Sequence, residues 1–236
     1  MLHRFFLAQK FDKDILFLKD RALVHQLKRV LRVRRGDRVI FFNDREEDRG
    51  FEFIVEIKTV DSASIACLVR ERVENRREPT KKLTLYAALI KKDKFEWILQ
   101  KGTEIGIHEF VPVVAAHSEK KNIKIDRALE VIREAAEQSG RATIPALQPV
   151  MTFEKALEHA QTSGAKNYFA HTAESENRIR GAGDRTINLF VGPEGGWDDK
   201  EIFAAARANF ETISLGRLTL RSETAAIVGS YTLLWG

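Results

Sequence analysis

The residues of this chain best suited to chemistry cluster near its end, in two glycine-bearing turns that each follow an apolar run. Ile187-Asn188-Leu189-Phe190-Val191 leads into Gly192-Pro193-Glu194-Gly195-Gly196-Trp197. Thr212-Ile213-Ser214-Leu215 leads through Gly216 to Leu220-Arg221-Ser222-Glu223-Thr224-Ala225. In open α/β sheets, ligands sit in the crevice beyond the carboxyl ends of the strands, so two such turns in series point to one small-molecule site. Gly195 and Gly196 allow a sharp turn and a close main-chain approach that a Cβ would obstruct. For either turn alone, a tight strand-to-helix connection without a ligand is the alternative. Neither turn is a phosphate loop: no Gly-Lys-Ser/Thr follows and no G-x-G-x-x-G occurs, which argues against a nucleoside triphosphate or NAD. The six histidines lack metal-ligand spacing and only one cysteine is present, so no zinc or other metal site is expected. No Ser-His-Asp set stands out.

These turns need a sheet and helices to hold them. Residues 187–191 form a five-residue apolar run ended by Gly-Pro, the mark of a strand buried on both faces. Asp198 is a candidate N-cap, with Glu201 three residues on in capping-box spacing. Further strands are expected at 83–90, 110–114, 167–170 and 212–215. Helices are expected at 93–105, 126–139 and 153–161, and from about 199 and 223. Such alternation implies a mainly parallel sheet covered by helices.

The first part of the chain reads differently. Residues 38–42, 51–57 and 65–73 are strand-like, and a small β-barrel is the natural closure for short strands of this kind. Leu23, Leu27, Val30 and Leu31 recur at helical spacing behind the candidate N-cap Asp20. The polar run Glu74-Asn75-Arg76-Arg77-Glu78-Pro79 is the best linker, giving domains at 1–75 and 76–236.

The chain has 236 residues and a net charge of +5, unevenly placed. Lys19, Arg21, Lys28, Arg29, Arg32, Arg34, Arg35 and Arg38 are opposed between 19 and 38 only by Asp20 and Asp37. Local excess of this kind is the footprint of nucleic-acid binding; a solvated helix face is the alternative reading. No run has the length of a membrane span and no signal peptide opens the chain, so a cytoplasmic protein without a membrane partner is expected. The single Cys67, in an apolar stretch, fits a reducing cytosol and a buried structural thiol.

Val191 to Trp197 together with Leu215-Gly216 and Leu220 to Ala225 resembles the RsmE family, SPOUT-class methyltransferases acting on N3 of a uridine in 16S ribosomal RNA. The likeness extends to Lys101-Gly102-Thr103-Glu104-Ile105-Gly106, to Glu134 through Arg141, and to His25 through Arg32 with Gly36-Asp37 after it, and so covers nearly the whole chain. It implies an N-terminal PUA-like, OB-resembling barrel that docks on RNA and a C-terminal α/β domain with a deep trefoil knot. It also implies a homodimer and S-adenosylmethionine as methyl donor, bound largely by backbone groups of three loops. By position, Thr172, Val191, Gly192, Gly196, Leu215, Gly216 and Leu220 would hold that donor. The chain departs from the family at Leu218, where an arginine is usual; Arg217 stands one place earlier.

The acceptor that the resemblance implies sets a second requirement. Uracil N3 lies on the Watson–Crick edge, so the base must be unpaired or flipped out. Loss of its proton leaves negative charge that a fixed guanidinium can stabilise. Arg221 is the first candidate for that role and Arg141 the second, reaching across a dimer. An ion pair of Arg221 with Glu223 is the competing reading. Lys28, Arg29, Arg32, Arg34 and Arg35 are the expected contacts to ribosomal RNA or the small ribosomal subunit. Glu194 and Glu223 are conceivable proton acceptors, each also suited to a helix N-terminus. Two further functions stay open: SPOUT methylation of another target such as a ribose 2′-O, and a catalytically silent RNA-binding assembly factor.

Overall fold

The computed structural model describes residues 2–11, 14–171 and 183–236. The chain divides into two compact units: Met1–Glu78 with Ala136–Ile144, and Pro79–Ala135 with Pro145–Gly236.

The first unit is built on a five-stranded sheet in the order β1-β3-β4-β5-β2. Its strands are β1 (Arg4–Phe6), β2 (Ile15–Leu18), β3 (Arg38–Phe42), β4 (Phe51–Val60) and β5 (Ile65–Glu74). β1 pairs parallel with β3, and the other pairings are antiparallel. Phe53, Val55 and Ile57 are buried as their spacing predicts, joined by Phe41, Ile65 and Cys67 in one apolar cluster. Burial pushes the Cys67 thiol up to about 12, so it stays protonated and inert.

The basic segment departs from the expected single helix. Asp20 caps α1 (Arg21–His25) by accepting from the Leu23 amide at 2.8 Å. The chain then widens into a π-helical turn, Gln26–Val30, and Arg32 takes a left-handed φ of +53°. The wider turn shifts the register, so Leu27 is fully buried while Val30 is 65% exposed. The expected linker is structured as well. Asn75 donates to the Gly140 carbonyl at 2.8 Å, and the Asn75 side chain accepts from the Arg77 amide at 2.9 Å. A polar run with a proline can satisfy its hydrogen bonds internally, which composition alone does not reveal.

The second unit carries a parallel sheet in the order β12-β10-β11-β6-β7-β8, with β9 also on β7. Its elements, in chain order, are β6 (Lys82–Ala88), α2 (Lys92–Ile105), β7 (Glu109–Val114), α3 (Ile125–Ser139), whose last turn belongs to the first unit, β8 (Ala146–Leu147), β9 (Met151–Thr152), α4 (Phe153–Thr162), β10 (Lys166–Ala170), β11 (Thr186–Val191), α5 (Asp199–Arg207), β12 (Glu211–Ile213) and α6 (Ser222–Trp235). β11 lies between β10 and β6 in the sheet, and Ile187 through Val191 are all buried. An aromatic stack fills one face: Tyr86 and Phe190 lie 4.2 Å apart and nearly parallel, and Phe169 stacks on Trp197 at 4.8 Å. The last expected strand is shorter than its pattern, because Leu215 lies beyond β12 in the loop.

Candidate functional site

The end of β10 and the loops that follow β11 and β12 lie at one edge of the sheet and border a cavity of about 480 Å³. That edge is the carboxyl end of the strands, the place parallel topology reserves for ligands. Ala170 and His171 line it from β10, Val191 through Trp197 from β11, and Ser214 through Ser222 from the last loop. The structure thus brings together Val191, Gly192, Gly196, Leu215, Gly216, Leu220 and Arg221 of the expected site. Thr172 lies outside the described residues. Arg141 is not among the lining residues; it belongs to the first unit, is 6% exposed, and its Nη2 donates to Glu78 at 2.9 Å.

Each glycine of the β11 loop has its own physical reason. A Cβ on Gly192 would meet the Trp197 indole at 3.0 Å, so the loop folds flat onto that ring. A Cβ on Gly195 would meet His117 at 3.1 Å. Gly196 has open space around it but a φ of +74°, a conformation that glycine adopts without penalty. The indole is fixed in turn: Trp197 Nε1 donates to the Ala170 carbonyl at 3.0 Å, tying the β11 loop to the end of β10. Ser222 Oγ donates to the Gly192 carbonyl at 2.6 Å, tying the β11 loop to the start of α6. The capping box predicted for α5 is present, with Glu201 accepting from the Asp198 amide at 2.9 Å.

Sequence reasoning missed several of these struts. Ser222 and Trp197 line the cavity from within the two motifs but had no assigned role, and His171 lines it from outside either motif. Lys94, on the first turn of α2, sits 3.2 Å from the Glu194 carboxylate and 3.8 Å from that of Glu223. No local signal links Lys94 to residues about 100 positions away. Gly229 has a packing role: a Cβ there would meet Leu189 at 3.1 Å and Leu215 at 3.3 Å. It lets α6 lie against β11 and the cavity loop despite the cost of glycine inside a helix.

Arg221 is exposed and has no ion-pair partner among the described residues. The competing Arg221–Glu223 pair does not form, because Glu223 faces Lys94 instead. Arg221 is the N-cap of α6 and makes no side-chain cap hydrogen bond. An arginine here breaks two local rules, since N-caps favour short polar side chains and the helix N-terminus repels a cation. Such breaches concentrate at functional sites. The guanidinium and the helix end together present positive charge to whatever anion enters the cavity.

The basic segment offers a second set of cations. Arg29, Arg32, Arg34 and Arg35 are exposed and without ion-pair partners among the described residues. Lys28 is partly tied down, since its Nζ donates to the carbonyls of Asp61 and Ser62. No group of histidine, cysteine or carboxylate side chains among the described residues could hold a metal. Nor does any described helix have the length and apolarity to cross a membrane.

The RNA methyltransferase domain family matches residues 76–233 of this chain. The chain is 32% identical over 221 residues to the ribosomal RNA small subunit methyltransferase E of Bacillus subtilis, covering 86% of this chain and 84% of that relative. It is 29% identical over 231 residues to the like-named protein of Mesomycoplasma hyopneumoniae, covering 96% of each. Among solved structures, the ribosomal RNA small subunit methyltransferase E from Neisseria gonorrhoeae bound to S-adenosyl methionine matches with a TM-score of 0.85 at 26% identity, over 98% of this chain and 95% of that one. A putative methyltransferase from Legionella pneumophila, also in complex with S-adenosyl methionine, matches with a TM-score of 0.84 at 26% identity, over 98% of this chain and 96% of that one.

Proposed function

This chain belongs to the RNA methyltransferase domain family as a relative of ribosomal RNA small subunit methyltransferase E, and on that premise we propose that it transfers a methyl group from S-adenosylmethionine to N3 of a uridine in 16S ribosomal RNA. The observation that carries this reading is the cavity at the ends of β10, β11 and β12, with Arg221, unpaired among the described residues, on its lining.

The lining suits the donor. Val191, Leu215, Leu220 and Ala225 offer apolar walls for an adenine, and Gly192, Gly195, Gly196 and Gly216 bring main chain to the surface. Glu194 supplies a carboxylate for a cationic centre, and Arg217 and Arg221 supply guanidinium groups for a carboxylate or a developing anion. The volume falls within the roughly 300–1,000 Å³ of clefts that hold a molecule of this size. When bound, S-adenosylmethionine supplies an electrophilic methyl group on a sulfonium. The chain's own task is to hold an unpaired uracil against that group and to stabilise the negative charge left when N3 loses its proton. Arg221 does the latter electrostatically, its backbone fixed at the start of α6 by the Ala225 amide, which donates to its carbonyl at 2.8 Å. Arg141, committed to Glu78, has a structural part in the first unit.

The finer architecture belongs to the same reading. The first unit is a PUA-like barrel, supported by its five strands around one apolar cluster, and with its exposed Arg29, Arg32, Arg34 and Arg35 it docks on RNA. The C-terminal segment is threaded in a trefoil knot. Support for this comes from Ser222 hydrogen-bonded to Gly192 and from α6 packed on β6, β11 and α2. A homodimer uses α6, whose Val228, Tyr231 and Trp235 are 41%, 55% and 51% exposed. Patches of this kind mark protein interfaces.

The test compares ribosomal RNA from a deletion strain and its parent. N3 methylation stops reverse transcriptase at the modified base, whereas ribose 2′-O methylation resists alkali. Loss of the first signal alone supports the proposal, and loss of the second alone replaces it with the alternative target. Donor titration in a calorimeter with no heat of binding would favour the silent assembly factor.

A further inference from the structure

A second cavity of about 230 Å³ lies in the second unit, and no part of the reading above uses it. Its inner wall is apolar, formed by Ile90, Phe95, Leu99 and Ala128, all nearly or fully buried. Its rim is cationic, with Lys92, Lys120 and Lys124 against one carboxylate, Glu96. Glu96 is already engaged, 3.5 Å from Lys92 and 3.5 Å from Arg127.

The position of this cavity is informative. Ile90 follows β6, and Lys120 through Lys124 lie in the loop after β7. The cavity therefore opens from the same carboxyl edge of the sheet as the donor cavity, on the neighbouring pair of strands. The two share α2: Lys92, Phe95, Glu96 and Leu99 line one cavity along a helical stripe, while Lys94 on the same turn reaches Glu194 of the other.

The charge placement breaks a local rule. α2 starts with Lys91 at its N-cap, makes no side-chain cap hydrogen bond, and carries Lys92 and Lys94 on either side of Asp93 in its first turn. Lys124 occupies the equivalent place before α3, where its carbonyl accepts from the Ala128 amide at 3.0 Å. Helix N-termini carry positive partial charge and open N–H groups, so lysines there are unfavourable unless an anion is bound. Two helix starts and three lysines converge on one apolar recess. The recess lies below the ~300 Å³ lower bound typical of drug-sized ligands, so it suits one ring or a ring with its sugar, and no whole cofactor.

We infer that this recess is a second RNA subsite, in which Lys92, Lys120 and Lys124 hold a backbone phosphate and the apolar wall receives the attached unpaired nucleotide. The subsite grips the acceptor strand beside the donor cavity, and the inference rests on the proposed action on RNA. An unpaired strand is the form in which a base is free to leave its stack and enter such a recess.

The test uses the full chain in two variants, Lys120→Gln with Lys124→Gln, and Ala128→Met, which fills the recess without altering charge. Three quantities are read for each: donor affinity by calorimetry, binding to a 16S ribosomal RNA fragment across a salt series, and the split of methyl transfer between kcat and KM for RNA. The double lysine variant is expected to bind RNA roughly tenfold more weakly and to lower the salt slope by about 1, for the one phosphate contact weakened. Its KM for RNA rises in step, while donor affinity and kcat stay within about twofold of the parent. Ala128→Met is expected to raise KM for RNA with donor affinity intact and the salt slope unchanged. RNA binding and KM equal to the parent in both variants would overturn the subsite and leave the proposed function standing. A parent protein that neither binds nor methylates ribosomal RNA would overturn both.

Discussion

The proposed function places the chemistry of this chain on one side chain, Arg221, and its position makes that role testable. It is unpaired among the described residues, stands at the N-cap of α6 where an arginine is unfavourable, and lines the cavity proposed for the donor. Arg221→Ala is expected to leave donor binding within about twofold in a calorimeter and to lower kcat by about 10²–10³, the usual loss on removing one preorganised donor to a developing anion. Near-parental turnover would remove Arg221 from the mechanism. Gly192 makes the complementary prediction. Its α-carbon lies against the buried indole of Trp197, where an added Cβ would come within 3.0–3.2 Å. Gly192→Ala is expected to cost about 1–3 kcal/mol in chemical denaturation and to weaken donor binding, because the ring cannot yield without breaking its bond to Ala170. At this scale the motif residues were legible because glycine and a lone arginine have few structural uses. The struts Lys94 and His117 were not, since their partners are distant in sequence and only the fold brings them near.

Among the elements, the parallel sheet of the second unit was largely readable. Apolar runs such as residues 187–191 and the Asp198/Glu201 capping box carry local physics that agrees with the fold. Three features were not. β2 is Ile-Leu-Phe-Leu, all apolar, so its alternation of exposed Ile15 and Phe17 with buried Leu16 and Leu18 is invisible in the letters. The π-helical turn at Gln26–Val30 keeps the hydrophobic spacing of an α-helix while turning Val30 outward. β12 stops before Leu215 because that residue is drawn into the cavity wall and against Gly229 of α6. The basic segment around this turn yields a prediction of its own. Reversing Arg32, Arg34 and Arg35 to glutamate is expected to weaken RNA binding and flatten its salt dependence, with the slope lowered by about 1 or more per lost phosphate contact. Donor affinity should not move. Glu56 on β4 gives the sheet a pH dependence. Hydrogen bonds from Lys58 and Arg70 hold its carboxyl down to about 2, against an ordinary 4.5. A carboxyl lowered by folding stabilises above its unfolded value, and that contribution fades as pH falls from about 4.5 toward 2. The difference in urea midpoint between the parent and Glu56→Gln should therefore be largest near pH 6 and vanish toward pH 2. A difference that grows on acidification would contradict the assignment.

The whole molecule combines a cavity proposed for the donor, a cationic recess beside it on the same sheet edge, and exposed arginines in the first unit. No feature of composition announced the recess, because its lysines sit in an unremarkable loop and a helix start that matter only once β6 and β7 lie side by side. The most direct measurement is digestion of 16S ribosomal RNA from a deletion strain, after incubation with the purified protein and S-adenosylmethionine carrying an isotopically labelled methyl group, followed by mass spectrometry of the nucleosides. Label is expected in 3-methyluridine and in no other nucleoside. Label in a 2′-O-methylated nucleoside instead, or in none while the RNA is bound, would contradict the proposed function.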